Sequence, residues 1–178
     1  METIRKRWTE IDKRTQMLLK FAEEASENAT CHSRKLGAVV QSADKGIGIG
    51  WNGAPLGADC TEIHGTPSGK CPRKHQKAKT GEMLEICPAV HAEIRALVSC
   101  LKAGHDTKGA TMYCWCGGIP CKECMKEIAD AGITRLYCQT EKTDDLKLRD
   151  DSIYYNFELS AKIAEHSNIE LIEVYNCD

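Results

Sequence analysis

The sequence lacks any apolar run that approaches the ~18 residues needed to cross a bilayer, and its first residues, METIRKRWTEIDKRTQ, lack the apolar core of a secretory signal. It also lacks an excess of positive charge, since the formal net charge is −2 at pH 7. We therefore expect a cytoplasmic protein with no membrane partner, and the charge disfavours nucleic acid as a partner. With no internal repeat, low-complexity tract or linker, residues 1–178 are predicted to form a single domain.

Cysteine, by contrast, is abundant, with eleven residues in the chain. In the absence of an export signal, metal ligands and reduced core thiols explain them better than disulfides do. Five cysteines fall in predicted helices, strands or the tail, and we interpret them as small buried apolar thiols: Cys100, Cys114, Cys116, Cys138 and Cys177. We expect Cys114 and Cys116 to point to opposite faces of one strand, so that they do not chelate together.

Helical and strand patterns alternate along most of the chain. Residues 9–27 have the apolar spacing of an amphipathic helix, and LGAVVQS and GIGIGWN predict a β-hairpin. The later order is helix (88–103), strand (ATMYCWC), helix (121–131), strand (ITRLYCQ), helix (152–166) and strand (IELIEVY). Such alternation predicts an α/β fold in which a largely parallel sheet lies between layers of helices.

Residues 52–87 interrupt this order with three prolines, five glycines and three cysteines, and they show no sustained periodicity. An irregular stretch of this length inside a compact domain needs an anchor other than a hydrophobic core. We interpret it as a cysteine-rich loop insertion that a metal ion holds in place.

The motif PCKEC, residues 120–124, stands where a predicted strand gives way to a helix. Cys121 and Cys124 are three residues apart, so they face the same side of the first helical turn and can bind one ion. The positive end of the helix dipole at this position favours the thiolate, which is the form that binds metals.

A CxxC pair supplies two ligands, whereas a catalytic zinc has three protein ligands and one open position. His91, in VHAEIRAL, is the natural third ligand, because parallel strand–helix units bring their helix N-termini together at one edge of the sheet. Glu93 is then placed to accept a proton from the zinc-bound water. A redox role for Cys121 and Cys124 is the main alternative, but it leaves His91 and Glu93 unexplained.

The pattern H-x-E followed by P-C-x-x-C is the signature of zinc nucleobase deaminases. Further similarity is carried by CHSRKLGAVV, GIGWNGAP, CPAVHAEIRAL, GATMY and PCKECMKEIADAGITRLY. From about residue 31 to 138 the chain thus resembles the cytidine and deoxycytidylate deaminase superfamily, most closely its deoxycytidylate branch. The resemblance implies a three-layer α/β/α fold with a mixed, largely parallel five-stranded sheet. It also implies a catalytic zinc on His91, Cys121 and Cys124, with Glu93 as the proton shuttle.

The resemblance also suggests further binding residues. Asn52 matches an asparagine that contacts substrate in the family, although a turn residue before Gly53 is an equal alternative. Cationic candidates for a substrate phosphate are Arg34, Lys35 and Lys102. For a second, structural zinc, as some members of the nucleotide branch carry, the candidate ligands are Cys31, Cys60, Cys71 and Cys87, with His75 as an alternative ligand.

Two departures from the family pattern leave the substrate open. Relatives commonly read H-A-E-x-N-A, whereas this chain has Arg95 in place of the asparagine. Between MY and PC it has the six residues CWCGGI, where the relatives have about four. A different base or a modified cytosine therefore stays open.

The predicted function is zinc-dependent hydrolytic deamination of a cytosine nucleotide, dCMP to dUMP and ammonia. The alternatives are a deaminase of another heterocycle or of a transfer RNA base, and a non-catalytic zinc-binding accessory protein. The resemblance further implies a homo-oligomer and a nucleoside triphosphate effector.

Overall fold

A computed structural model describes residues 3–79, 81–140 and 155–175, which form one six-stranded sheet and six α-helices. The strands are β1 (Ile4–Arg7), β2 (Gly37–Gln41), β3 (Ile47–Trp51), β4 (Thr111–Trp115), β5 (Arg135–Thr140) and β6 (Glu170–Tyr175). The helices are α1 (Lys13–Ser26), α2 (Cys60–His64), α3 (Pro72–His75), α4 (Ala92–Lys102), α5 (Lys122–Asp130) and α6 (Phe157–His166).

The sheet is mixed and largely parallel, as predicted, with the strand order β1-β6-β5-β4-β2-β3. Strand β2 runs antiparallel to both β3 and β4, and the remaining pairs are parallel. The expected number of five strands was wrong, because β1 adds a sixth at the edge by pairing with β6. Three of the four β1 residues are charged, so the strand has no apolar alternation that the sequence could reveal.

Side chains that alternate along the strands build two cores, one on each face of the sheet. Helix α1 covers one face, where Leu18 and Leu19 pack with Val39 of β2 and Ile172 of β6. Helices α4, α5 and α6 cover the other face, and their buried residues pack with β2, β4 and β5. The three-layer α/β/α prediction is therefore confirmed.

Capping residues shift the helix boundaries from those that periodicity predicted. Helix α1 begins at Lys13 because the Asp12 side chain accepts hydrogen bonds from the backbone N–H groups of Arg14 and Thr15. Helix α4 begins at Ala92, not at residue 88, because Val90 pairs in extended conformation with Gly53. The predicted start of the last helix at Ser152 lies outside the described residues, and within them α6 begins at Phe157.

Two glycines of β3 let α4 lie directly against the sheet. A Cβ atom at Gly48 would overlap the carbonyl oxygen of Ala96, and one at Gly50 would overlap that of Ala92. Because α4 lies this close to the sheet, its N-terminus is fixed beside the end of β3. The side chains in the first turn of α4 are therefore fixed in position as well.

The cysteines predicted to be core thiols are buried where the structure describes them. Cys100, Cys114 and Cys138 have no exposed surface, and Cys116 is 8% exposed; Cys177 lies outside the described residues. The expectation that Cys114 and Cys116 occupy opposite faces was wrong, since residues two apart in a strand share a face. Both belong to the core under α4 and α5.

Within the described residues, no helix is both long enough and apolar enough to span a bilayer.

Candidate zinc site and nucleotide cavity

Two helix starts on the same face of the sheet bring the predicted metal ligands together. His91 is the N-cap residue of α4 and Cys121 is the N-cap residue of α5, both with extended backbone conformations. Neither side chain caps its own helix, so both are free to point at a common centre. Cys124 joins them from the first turn of α5, as its spacing from Cys121 predicted.

The three side chains form a metal-binding group by distance. The Nδ1 atom of His91 lies 3.1 Å from Cys124 Sγ and 3.6 Å from Cys121 Sγ, and all three ligand atoms lie within 4.8 Å of one another. In a tetrahedral zinc site, bonds of ~2.0 Å to nitrogen and ~2.3 Å to sulfur separate neighbouring ligands by about 3.5 Å. One imidazole and two sulfurs with this spacing fit zinc.

The electrostatics of this group favour a thiolate. A hydrogen bond from the Cys124 thiol lowers the pKa of Cys121 to about 4, and His91 contributes a second hydrogen bond. The Cys121 sulfur in turn raises the pKa of His91 to about 9. A negatively charged sulfur beside an imidazole is the donor set that a divalent cation stabilises.

Glu93 lies in the first turn of α4, directly beside this group, and is only 3% exposed. Burial, and after it the nearby Cys116 sulfur, raises the pKa of its carboxyl to about 7. Its Oε2 atom is buried and has no hydrogen-bond partner among the described residues. A buried carboxylate oxygen without a partner is costly, which indicates a place for a ligand or water that the carboxylate contacts.

A cavity of about 380 Å³ opens in front of the metal-binding group. His91, Glu93 and Cys121 line it, together with Cys116 and Ile119 from the CWCGGI segment and Pro120, the residue that follows it. The volume lies in the ordinary range for small-molecule sites. The inserted residues between MY and PC therefore shape the cavity.

The predicted substrate contacts divide into two groups. Asn52 and Arg34 line the cavity, whereas Lys35 lines a neighbouring cavity and forms an ion pair with Glu27. Lys102 lies in the last turn of α4, about 13 Å along the helix from Glu93, and does not line the cavity. The structure thus brings two of the four candidates to the site.

The Asn52 amide also organises the site. Its Oδ1 accepts a hydrogen bond from the backbone of Leu36 at 2.8 Å, and its Nδ2 donates to the carbonyl oxygen of Arg34 at 3.0 Å. One N–H and one lone pair remain available on the cavity side. Asn52 therefore holds the loop before β2 in place and still has groups left for a ligand.

Comparison with known proteins agrees with this geometry. A family model for the cytidine and deoxycytidylate deaminase zinc-binding region matches residues 12–140. The chain belongs to the cytidine and deoxycytidylate deaminase family. Among curated relatives, the deoxycytidylate deaminase of Mycobacterium phage D29 is 35% identical over 127 residues, which are 68% of this chain and 90% of the phage protein.

Other members of the family differ in length. The deoxycytidylate deaminase of Schizosaccharomyces pombe is 31% identical over 128 residues, which are 71% of this chain but 37% of the yeast protein. A crystal structure of dCMP deaminase from the cyanophage S-TIM5, in complex with dCMP and dUMP, covers 94% of this chain and 99% of its own. Its TM-score of 0.60 at 23% identity shows that the fold is shared.

Arg95, the main departure from the family pattern, is accommodated beside the site. Its Nη2 donates to the carbonyl oxygens of Ala54 at 2.7 Å and Gly53 at 3.2 Å, and its guanidinium lies 5.5 Å from the centre of the Trp51 ring. The same loop is tied to the residue before His91, since Gly53 and Val90 exchange two backbone hydrogen bonds. Arg95 therefore clamps the loop that carries Asn52 against the start of α4.

We expect Arg95→Ala to lower kcat/KM about tenfold by loosening this loop, and to lower the free energy of unfolding by about 2 kcal/mol. Zinc content should not change, because Arg95 contacts no ligand side chain. Steady-state kinetics, metal analysis and urea unfolding measure the three quantities. Lys102→Ala on the same helix is the matched control, and equal effects of both variants would contradict the clamp.

The cysteines assigned to a second zinc line one small cavity. Cys31, Cys60, Cys71 and Cys87 surround about 10 Å³ of space together with His32, whereas His75 is exposed and does not line it. Burial raises the pKa of Cys60, and the sulfurs of Cys87 and Cys31 raise it further. Among the described residues, however, His91, Cys121 and Cys124 are the only group of three or more whose ligand atoms all lie within 4.8 Å of one another.

Three parts of the cavity wall were not predicted from the sequence. Tyr155 and Phe157, whose rings stack with centroids 5.8 Å apart, form one side. A second side is the basic segment, which we define as Arg73, Lys74, Lys77 and Lys79. The third part of the wall that was not predicted is Cys116. The run CPRKHQKAK contains all four cations of the basic segment, and this cluster of positive charge is the sequence signal that could have predicted it.

Proposed function

We propose that this chain is a zinc-dependent hydrolase that deaminates a cytosine nucleotide, converting dCMP to dUMP and ammonia. The observation that carries the proposal is the unpartnered, buried carboxylate oxygen of Glu93 beside the His91, Cys121 and Cys124 group. The names of the relatives support the substrate, since those with 31% and 35% identity are deoxycytidylate deaminases.

The zinc-binding residues and Glu93 have distinct roles in this proposal. His91, Cys121 and Cys124 would hold the zinc ion, which when bound supplies a Lewis acid that activates water for attack on C4 of the ring. Glu93 takes one proton from the attacking water and delivers it to N3; it then takes the second proton from the new C4 hydroxyl and delivers it to the amino group, which leaves as ammonia. Burial of Glu93 keeps bulk water from competing for these transfers.

The other functions considered from the sequence have less support. A non-catalytic zinc protein gives no reason for a buried carboxylate beside an open coordination position. A transfer RNA substrate is disfavoured by the net charge of −2. Neither alternative has an observation of its own in the described residues that favours it.

A substrate panel tests the proposed function. The purified protein should release ammonia from dCMP with a kcat in the ordinary enzymatic range of about 1–10³ s⁻¹. CMP, deoxycytidine and 5-methyl-dCMP serve as comparisons, and absorbance change at the pyrimidine band provides an independent measurement. Release from none of the four compounds, by protein with one or more zinc ions bound, would contradict the proposal.

We also propose a structural zinc in the cysteine-rich loop insertion of residues 52–87. Support comes from the four cysteines and His32 around one small cavity, beside a stretch whose described residues have only α2, α3 and one 3-10 turn as regular elements. Four such ligands close a tetrahedral site and tie down a segment with little core of its own.

The remaining sequence predictions concern assembly. That residues 1–178 act as one domain is supported by the pairing of β1 with β6, which joins both ends of the described chain in one sheet. Self-association is supported by exposed apolar side chains on β3 and on the two helices that pack against it: Met17, Phe21, Ile47, Ile49, Val98 and Leu101. A nucleoside triphosphate effector and a cytoplasmic location stay predictions.

A further inference from the structure

The cavity that holds Glu93 carries a strong excess of positive charge. Five cationic side chains line it, namely Arg34 and the basic segment Arg73, Lys74, Lys77 and Lys79. Glu93 is the only acidic residue among the described residues of the wall. Four of the five cations come from one short stretch of the cysteine-rich insertion, so this charge is a property of the insertion and not of the sheet and helices that carry the zinc ligands.

Arg73 is the anchor of the basic segment. It is 8% exposed, and its Nε donates to the carbonyl oxygen of Glu82 at 2.6 Å while Nη2 reaches that of Lys79 at 3.4 Å. No carboxylate in the described part of the chain pairs with it. A buried guanidinium that contacts only carbonyl oxygens keeps its full charge and has further N–H donors for an anion.

The lysines of the basic segment differ from three other exposed lysines of this protein. Lys35, Lys126 and Lys162 each form an ion pair with a glutamate. Lys74, Lys77 and Lys79, although exposed, form no ion pair with any described residue and line the cavity instead. No carboxylate in the described part of the chain therefore neutralises their charges.

The backbone of this stretch is well held, so the lysines are presented from a defined turn. Lys77 donates to the carbonyl oxygen of Lys74 at 2.9 Å, Ala78 donates to that of Arg73 at 3.0 Å, and the N–H of Lys79 donates to the Glu82 carboxylate at 2.8 Å. Pro72 at the first position of α3 fixes the entry to the turn. A turn constrained in this way loses little entropy when its side chains bind a ligand.

We propose that the basic segment, with Arg34, binds the 5′-phosphate of the substrate and selects nucleotides over nucleosides. The inference rests on the proposed function, because it places the base at Glu93 and the phosphate at the cationic side chains that line the same cavity. It replaces Lys35 and Lys102 as phosphate contacts by residues of the insertion. Charge-assisted hydrogen bonds from guanidinium and ammonium groups to phosphate supply the selectivity.

The test removes three charges at once. In the triple variant Lys74→Gln, Lys77→Gln, Lys79→Gln, kcat/KM for dCMP should fall about tenfold or more through a higher KM, since each exposed contact alone is weak. The kcat/KM for deoxycytidine and the kcat for dCMP should stay the same. The matched control carries Lys13→Gln, Lys20→Gln and Lys108→Gln, three exposed lysines that do not line the cavity.

Salt provides a second readout. The KM of the wild type for dCMP should rise with ionic strength more steeply than that of the triple variant, because screening acts on charges that the variant lacks. An equal fall of activity on dCMP and deoxycytidine, or no change in either, would overturn the inference. Thermal unfolding of both triple variants establishes that they are folded.

Direct binding separates this inference from the proposed function. Calorimetric titration with dUMP and with deoxyuridine requires no turnover, and the difference in affinity between the two should shrink about tenfold in the triple variant. If no compound is deaminated but dUMP still binds through the lysines, the proposed reaction fails and the phosphate site stands. If dUMP and deoxyuridine bind the wild type equally, the phosphate site is wrong.

Discussion

Glu93→Gln should lower kcat for dCMP by about 10²–10⁴-fold while leaving one zinc on the His91, Cys121 and Cys124 group. Glutamine has nearly the shape of glutamate but cannot carry a proton, and the carboxylate is the only acidic group among the described residues of the cavity wall. Stability should not fall, because the variant removes a buried charge whose Oε2 has no hydrogen-bond partner in the described part of the chain. Ammonia release, metal analysis and thermal unfolding measure the three quantities.

The chain offers an unusually close control for this experiment. Glu123 follows Cys121 by two residues, as Glu93 follows His91, and both carboxylates lie in the first turn of a helix. Glu123, however, is exposed, pairs with Lys126 at 2.8 Å and does not line the cavity. Glu123→Gln should therefore leave activity unchanged. Retention of most activity by Glu93→Gln with zinc in place would remove Glu93 from the mechanism.

The zinc ligands could be predicted from the sequence because local rules determine their positions. A proline before a helix start, a three-residue spacing and the alternation of strands and helices are all visible in the chain. The parallel pairing of β4 with β5, which brings α5 to the same face as α4, follows from that alternation. The number of strands does not follow in the same way.

Strand β1 forms because it pairs with β6. Its four residues, Ile4–Arg7, include three cations, and Arg5 pairs with Glu173 of β6 at 3.3 Å. A polar edge strand of this kind has no periodicity to detect, since its stability comes from hydrogen bonds to β6 and from charge pairs across the edge. The interaction is tertiary, and sequence spacing does not report it.

The phosphate candidates illustrate the same limit. Lys102 looked close to the zinc motif in sequence, but the eleven-residue helix α4 carries it to the far end. Lys74, Lys77 and Lys79 lie farther from His91 in sequence, yet the insertion folds back over the cavity. Which irregular segment covers a site depends on how the loop is anchored, and the proposed structural zinc would anchor this one through cysteines from separate parts of the chain.

Metal content should separate the two cysteine sets. We expect two zinc ions per chain in the wild type, and one in both Cys124→Ser and Cys60→Ser. Cys124→Ser should also abolish deamination, because it removes a ligand of the catalytic ion. Cys60→Ser should keep measurable turnover but lower Tm by about 10 °C, since loss of a structural zinc costs about 3 kcal/mol or more.

Cys100→Ala provides the control for loss of a buried thiol, as Cys100 has no exposed surface and belongs to neither set. It should retain both zinc ions, with a stability loss of about 1 kcal/mol from the small cavity that it leaves. Limited proteolysis gives a further distinction, because only Cys60→Ser should expose residues 52–87 to cleavage. A wild-type content of one zinc, lost in Cys124→Ser and kept in Cys60→Ser, would show that the insertion is held by packing and hydrogen bonds, with Arg73 and its carbonyl partners as its main anchor.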